Sequence, residues 1–230
     1  MLDFKHKKHL FFDLDHTLWD FDKNSSSAFD SIFKEQGYEI NLNDFLEVYI
    51  PRNHHYWKLY QFNQISHEDL RYYRLKDVFD VLKFEVSDAD IQNISEAYIN
   101  YLPEFNHLFD GAIELLDYLK PNYNLHIITN GFASVQSRKL KNSNLDQYFD
   151  TITNSEIAGA KKPHRNIFEF ALSLAKASKM ESLMIGDSYE ADIIGAQEAG
   201  IEAIFFNEQN LEVEKDVLQI NHLLELKNIL

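Results

Sequence analysis

The residues best suited to chemistry stand close to the N-terminus, in Leu10-Phe11-Phe12-Asp13-Leu14-Asp15-His16-Thr17-Leu18. An apolar, strand-forming run stops at two carboxylates spaced i and i+2, followed by a hydroxyl. A buried strand is therefore expected to break where Asp13 and Asp15 appear. Side chains two apart on a strand project the same way, and a small turn after Asp13 brings both carboxylates to one cavity. Two like charges that close repel unless a cation lies between them. A hard divalent ion, Mg2+ above all, supplies that charge, takes oxygen ligands and is usually shared with a phosphate group. The pair reads as metal and phosphoryl chemistry, against the plainer alternative of a strand end with two solvated acids.

The rest of the composition narrows the partners. Lys and Arg number 22 against 37 Asp and Glu, and the formal net charge of -15 disfavours a nucleic-acid polymer or an anionic membrane as the main partner. A small anion needs fixed cations and a metal to overcome that field, so each lysine near the acid pair matters. The absence of cysteine excludes disulfides, thiolate nucleophiles and Cys-based metal sites, and fits a cytoplasmic protein. The apolar run after the basic N-terminus is cut by Asp13 and Asp15 too early for a signal sequence, and no stretch is of membrane length.

The elements that must position the acids follow from periodicity. A strand from His9 to Leu14 is almost wholly apolar, as for a parallel strand covered on both faces. From Asp20 the pattern turns helical for about eighty residues, with no convincing buried strand. Asn24 and Ser25 offer N-caps for a helix stopping at Gly37, and a second helix starts near Asn43 and is kinked or split at Pro51. Ser66 with Asp69, and Ser87 with Asp90, have capping-box spacing and head two more helices, and Pro103 closes the segment.

After Asp110-Gly111 helices alternate with strands. The predicted order is a helix through Ile113, Leu116 and Leu119, a strand at 125–129, a helix at 134–142 and a strand near 151–153. A helix at 165–177, a strand at 183–186, a helix at 191–199 and a strand at 203–206 follow. The tail carries a weak strand near 218–220 and a helix capped by Asn221. Alternation of this kind implies an α/β fold, a Rossmann-like parallel sheet with helices on both faces. The helical insertion interrupts the sheet after its first strand. The expected organisation is a catalytic core of residues 1–19 and 107–230 with a helical cap of residues 20–106 over its active edge.

In open α/β sheets ligands bind beyond the carboxyl ends of the strands. One strand ends at Asp13 and Asp15, and the next at Thr129-Asn130-Gly131, a hydroxyl, an amide and a glycine that lets backbone N–H groups approach an anion. Beyond the third lies Ala160-Lys161-Lys162-Pro163, just before a helix. The fourth ends in Gly186-Asp187-Ser188-Tyr189-Glu190-Ala191-Asp192, with carboxylates in a loop leading into a helix. Each fragment alone is ordinary punctuation. Their order at successive strand ends is not.

In this order the sequence resembles the haloacid dehalogenase superfamily of aspartyl-phosphate phosphohydrolases. FFDLDHTL matches the first motif, ITNG the second, the lysine before Pro163 the third and GDSYEAD the fourth. The stretches FFDLDHTLWDF, ITNGF and YFDTITNSEIAGAKKPHRNIF are similar to the superfamily's small bacterial nucleotidases, which act on pyrimidine and non-canonical nucleoside monophosphates. The resemblance implies Asp13 as nucleophile, and Asp15 as the acid that protonates the leaving alkoxide and then the base for water. It implies Mg2+ held by Asp13, the main-chain carbonyl of Asp15, and Asp187. Thr129 and the backbone around Asn130 and Gly131 would bind phosphate, and Lys162 would neutralise the nucleophile and the developing charge. Lys162 is preferred to Lys161 because the family lysine directly precedes proline. Asp192 would orient Lys162 or metal-bound water. One departure is His164-Arg165, where many members carry Asp-Pro.

A dehalogenase has no need of an acid at position 15, so Asp15 favours a phosphatase. The leading expectation is a Mg2+-dependent phosphomonoesterase acting on a small phosphorylated metabolite, a nucleoside monophosphate. A sugar-phosphate phosphatase or phosphomutase on the same machinery is the alternative, and a non-catalytic regulatory member is a third. Within the cap, a metal site at His54 and His55 is disfavoured because adjacent helical residues diverge. For Trp57 and Tyr60 core packing outweighs substrate contact. The acidic run 207–216 reads as a solvated connection.

Overall fold

The apolar strands assemble into one sheet in the computed structural model, which describes residues 4, 6–213 and 217–230. In the described residues the sheet has six strands: β1 (His9–Phe12), β2 (Asn124–Thr129), β3 (Thr151–Asn154), β4 (Ser182–Gly186), β5 (Glu202–Phe206) and β6 (Gln219–Ile220). Their order is β3-β2-β1-β4-β5-β6, and every pairing is parallel. The chain builds outward from β1 through β2 to β3, then crosses back to place β4 on the other side of β1. That reversal opens a crevice at the carboxyl ends of β1 and β4, the usual ligand position in such sheets. The register aligns Phe12 with Ile127 and with Ile185, so Asp13 emerges beside Gly186.

Contacts divide the chain into two units, Met1–Asp20 with His107–Leu230, and Phe21–Asn106. In the first, helices α5 (Ala112–Leu119), α6 (Ala133–Asn142), α7 (Ser155–Ala158), α8 (Arg165–Ala175) and α9 (Gly195–Ala199) flank the sheet. Phe11, Ile128, Met184 and Phe205 meet Ile167, Phe168 and Ala196 in one core cluster. Full burial of a side chain such as Phe168 contributes about 1.5–3 kcal/mol.

The second unit is built from α1 (Phe21–Gln36), α2 (Leu42–Gln61), α3 (His67–Leu82) and α4 (Asp88–Tyr101). Phe29 of α1 sits among aromatic rings of three of these helices, 5.7 Å from Phe33, 4.7 Å from Phe45 and Tyr49, and 4.5 Å from Tyr98. Both predicted capping boxes form. Ser66 and Asp69 exchange hydrogen bonds at the start of α3, and Ser87 and Asp90 do so at the start of α4.

The local expectations fail in instructive places. Asn24 and Ser25 are not caps. Helix α1 begins at Phe21, both residues lie buried within it, and the Ser25 hydroxyl meets that of Tyr98 at 2.8 Å. Pro51 does not split its helix. It lies on the exposed side of α2 while Phe45, Tyr49 and Asn53 are buried on the other, so packing outweighs the one backbone hydrogen bond proline removes. The helix expected at 191–199 opens as a π-helix, Tyr189–Ile194, before α9. Ile113 is exposed, and α5 buries Ala112, Leu115, Leu116 and Leu119 instead. The final turn is capped by His222, while the Asn221 amide donates to the Asn207 carbonyl and the Asn210 side chain. Of the acidic run, residues 208–212 are exposed, and 214–216 lie outside the described residues. Among the described residues no helix is long and apolar enough to cross a membrane.

Candidate active site

Four strand ends of the α/β unit converge at the crevice. Asp13 follows β1, its backbone N–H donating to the Ile185 carbonyl at 2.9 Å. Lys162 reaches it from the segment before α8, its Nζ 2.6 Å from Asp13 Oδ1, 2.6 Å from Asp192 Oδ1 and 2.8 Å from the Ile128 carbonyl. Burial alone would lower the Lys162 pKa, but the two facing carboxylates raise it, so the ammonium stays charged. Asn130 fixes the backbone of this lysine. Its Nδ2 donates to the Lys162 carbonyl at 2.9 Å, and its Oδ1 accepts from the Lys162 N–H at 2.7 Å.

Asp187, just past β4, accepts the Thr17 hydroxyl at 3.0 Å. Asp192 is wholly buried within the π-helix, where its Oδ2 accepts the Ser188 N–H at 3.0 Å. Gly186 is required here by close approach, because a Cβ would lie 2.3 Å from Asp192 Oδ2. The oxygens of Asp13, Asp187 and Asp192 lie within 4.8 Å of one another. Burial raises the Asp13 pKa, opposed by Lys162 and reinforced by the other two carboxylates. Burial and then Asp192 push Asp187 up to about 8. Two buried carboxylates, Asp13 and Asp192, and the half-buried Asp187 near the single ammonium of Lys162 leave negative charge uncompensated. That donor set fits a hard divalent cation. Asp192 is already engaged by Lys162 and Ser188, so Asp13 and Asp187 are the carboxylates suited to holding it.

Asp15 does not share these partners. Its Oδ1 lies 2.5 Å from Lys139 Nζ and its Oδ2 accepts from Gln136 Nε2 at 2.7 Å. Both side-chain oxygens of Asp15 are thus engaged by residues of α6. Thr129 Oγ1 accepts from the Gly131 N–H and from Gln136 Nε2, both at 3.1 Å. With both acceptor positions of the hydroxyl used, its own hydrogen is directed elsewhere, as a phosphate donor requires.

The sequence reading did not single out Gln136 or Lys139, and it gave Thr17 no partner. Nothing local distinguishes a helical glutamine or lysine that turns inward from one that faces water. In the helical unit, Trp57 and Tyr60 are half-buried rather than core residues, their rings edge-on at 5.8 Å. His54 and His55 are both exposed.

Comparison with known proteins identifies the family of the chain. A family model for haloacid dehalogenase-like hydrolases matches residues 10–206. The chain is 35% identical over 207 residues to pyrimidine 5'-nucleotidase PynA of Streptococcus pneumoniae, covering 89% of this chain and 86% of that protein. It is 31% identical over 225 residues to pyrimidine 5'-nucleotidase YjjG of Escherichia coli, covering 96% of each. Among solved structures, the magnesium-bound putative HAD-hydrolase YfnB from Bacillus subtilis superimposes with a TM-score of 0.87 at 28% identity, over 97% of this chain and 98% of that one. The parallel sheet, the acids at its strand ends and the match over most of the chain lead to one conclusion: the protein belongs to the haloacid dehalogenase-like hydrolases.

Proposed function

We propose that the protein is a Mg2+-dependent phosphomonoesterase of nucleoside 5'-monophosphates, pyrimidine and deoxy forms first. The observation that carries the reading is the division of labour between the two acids: Asp13 lies against Lys162 beside Asp187, while Asp15 is held separately by Lys139 and Gln136. A nucleophile and a proton donor need that separation. The names of PynA and YjjG support the choice of substrate.

Asp13 attacks phosphorus in line, forming an aspartyl-phosphate as the P–O bond to the nucleoside breaks. The leaving oxygen keeps the bonding electron pair and takes a proton from Asp15. Water then attacks the phosphorus, Asp15 takes its proton, and the bond to Asp13 breaks to release phosphate. Thr129 donates its hydroxyl hydrogen to a phosphate oxygen, and Lys162 neutralises charge on the nucleophile and the phosphoryl oxygens. Asp13, Asp187 and the Asp15 carbonyl would hold Mg2+, which would supply positive charge to screen the phosphate from the carboxylates. Asp192 keeps Lys162 aimed at Asp13.

The test is phosphate release from a panel of phosphorylated metabolites with and without Mg2+. Nucleoside monophosphates are expected to give higher kcat/KM than hexose phosphates, phosphoglycolate or nucleoside di- and triphosphates, and a chelator is expected to abolish turnover. Preference for a sugar phosphate overturns the substrate while leaving the phosphatase chemistry. Full activity of metal-stripped protein in chelating buffer overturns the metal-dependent scheme.

A further inference from the structure

Two α6 residues outside the four motifs grip the side chain of Asp15. Gln136 and Lys139 stand at i and i+3, which places them on one helix face. They are 1% and 2% exposed, although a glutamine and a lysine on a helix ordinarily extend into water. Lys139 Nζ contacts Asp15 Oδ1 and lies 4.0 Å from the centroid of the buried Trp19 ring, which confines the ammonium between carboxylate and π-face. Gln136 Nε2 spans Asp15 Oδ2 and Thr129 Oγ1. A Cβ at position 131 would fall 1.7 Å from that nitrogen, so the glycine of Thr129-Asn130-Gly131 is a condition of Gln136 reaching Asp15. Burying an ammonium against a carboxylate that is itself 21% exposed is a poor source of stability, since an apolar pair of similar volume packs as well without desolvating charge. The arrangement calls for a reason beyond folding.

We propose that Gln136 and Lys139 are positioning residues for Asp15, fixing its carboxylate for both proton transfers. The inference rests on the phosphatase reading above. Each oxygen of Asp15 meets a donor anchored on α6, so the plane of the carboxylate is set by the protein rather than by the substrate. Proton transfer requires an oxygen within hydrogen-bond reach of the reacting atom, and a side chain free to turn about χ1 and χ2 spends little time there. Attack by Asp13 on a phosphoryl group with a stable anionic leaving group does not need that proton. The two classes of substrate therefore respond differently to loss of the grip.

The test compares Lys139→Met with wild type on a nucleoside 5'-monophosphate and on 4-nitrophenyl phosphate, with Mg2+ present. The nucleotide leaves as a poor alkoxide that needs a proton, whereas 4-nitrophenolate departs with its electron pair unprotonated. The expected result is a fall in kcat of about 100-fold on the nucleotide with KM within about twofold. On the aryl ester we expect a burst approaching one nitrophenolate per site before a slow steady state, because Asp13 is still phosphorylated while water attack waits for its base. Equal losses on both substrates without a burst, or wild-type kinetics, overturn the proposal. If Lys139→Met does not fold, Gln136→Met, which leaves the ion pair, must show the same split and burst in smaller measure or the proposal falls. A wild-type protein that releases phosphate from none of these esters overturns the phosphatase reading itself. An active wild type with indifferent variants overturns only the positioning role.

Discussion

Both units bury cations, and Lys162 of one and Arg74 of the other are held in opposite ways. Lys162 of the α/β unit lies between the carboxylates of Asp13 and Asp192 and donates also to the Ile128 carbonyl. Arg74 of the helical unit is as deeply buried, at 2% exposure, yet forms no ion pair among the described residues. It donates from Nη1 to Asn53 Oδ1 at 3.1 Å, rests 5.0 Å from the centroid of the Tyr98 ring, and leaves its Nε without a hydrogen-bond partner. In the first unit charge is concentrated so that a reacting group meets fixed fields. In the second, a guanidinium is folded into an aromatic core where it meets an amide oxygen and a ring face. The contrast separates a site built for chemistry from a body built for packing.

The largest expected effect tests the charged side of the contrast. Asp13→Asn keeps the shape of the nucleophile and removes its reactivity, so phosphate release should fall by about 10^4 or more with the thermal midpoint little changed. Turnover near that of wild type would break the covalent scheme and leave the strand-end acids as metal ligands only.

Exchanging each buried cation for methionine sharpens the comparison directly. Lys162→Met strands Asp13 and Asp192 without their counter-charge, and urea unfolding of the metal-free protein should show a loss of about 3–5 kcal/mol. Arg74→Met abandons no carboxylate and removes an orphaned Nε, so its stability should lie within about 1 kcal/mol of wild type. Unchanged stability with a selective loss of nucleotide turnover in Arg74→Met would move that guanidinium from packing to recognition.

A smaller effect is expected under the opposite end of the sheet. His126 is buried, stacked on Phe11 at 4.6 Å, and hydrogen-bonded between His9 and Thr151. Burial, with the neighbouring His9, lowers its pKa to about 4 from an ordinary 6.5. The unfolded chain therefore takes up a proton that the folded chain refuses, and stability is lost as pH falls from 6.5 toward 4. The loss attributable to His126 is at most about 3 kcal/mol, and His126→Gln should flatten the thermal midpoint between pH 7 and 5. An unaltered acid slope would show that His126 does not set it.

The smallest effect belongs to Trp57 and Tyr60. Half-buried rings contribute little to the core, so alanine at either position should lower stability by about 1 kcal/mol or less. If either ring contacts a nucleobase, KM for the nucleotide rises several-fold while an aryl phosphate is spared. Equal losses on both substrates with a lowered melting temperature would return these rings to packing.

What the sequence determined by itself was whatever a few neighbouring residues decide. Apolar runs ending in Asp13, Thr129 and Asp187 marked strand ends because strand burial is written in consecutive residues. Ser66 with Asp69 and Ser87 with Asp90 marked helix starts because the capping bonds close within one turn. The order of motifs pointed to the family because successive parallel strands end on the same edge. Only the tertiary structure decided the rest. Asn24 and Ser25 have the chemistry of caps but lie inside a helix whose buried face needs them, and Pro51 is carried through α2 by the packing of Phe45, Tyr49 and Asn53. Asn130 turned to the Lys162 backbone, and Gln136 and Lys139 turned to Asp15 across more than a hundred residues of chain. Such contacts depend on strand register and on where a helix lies against its sheet, and no local periodicity carries that information.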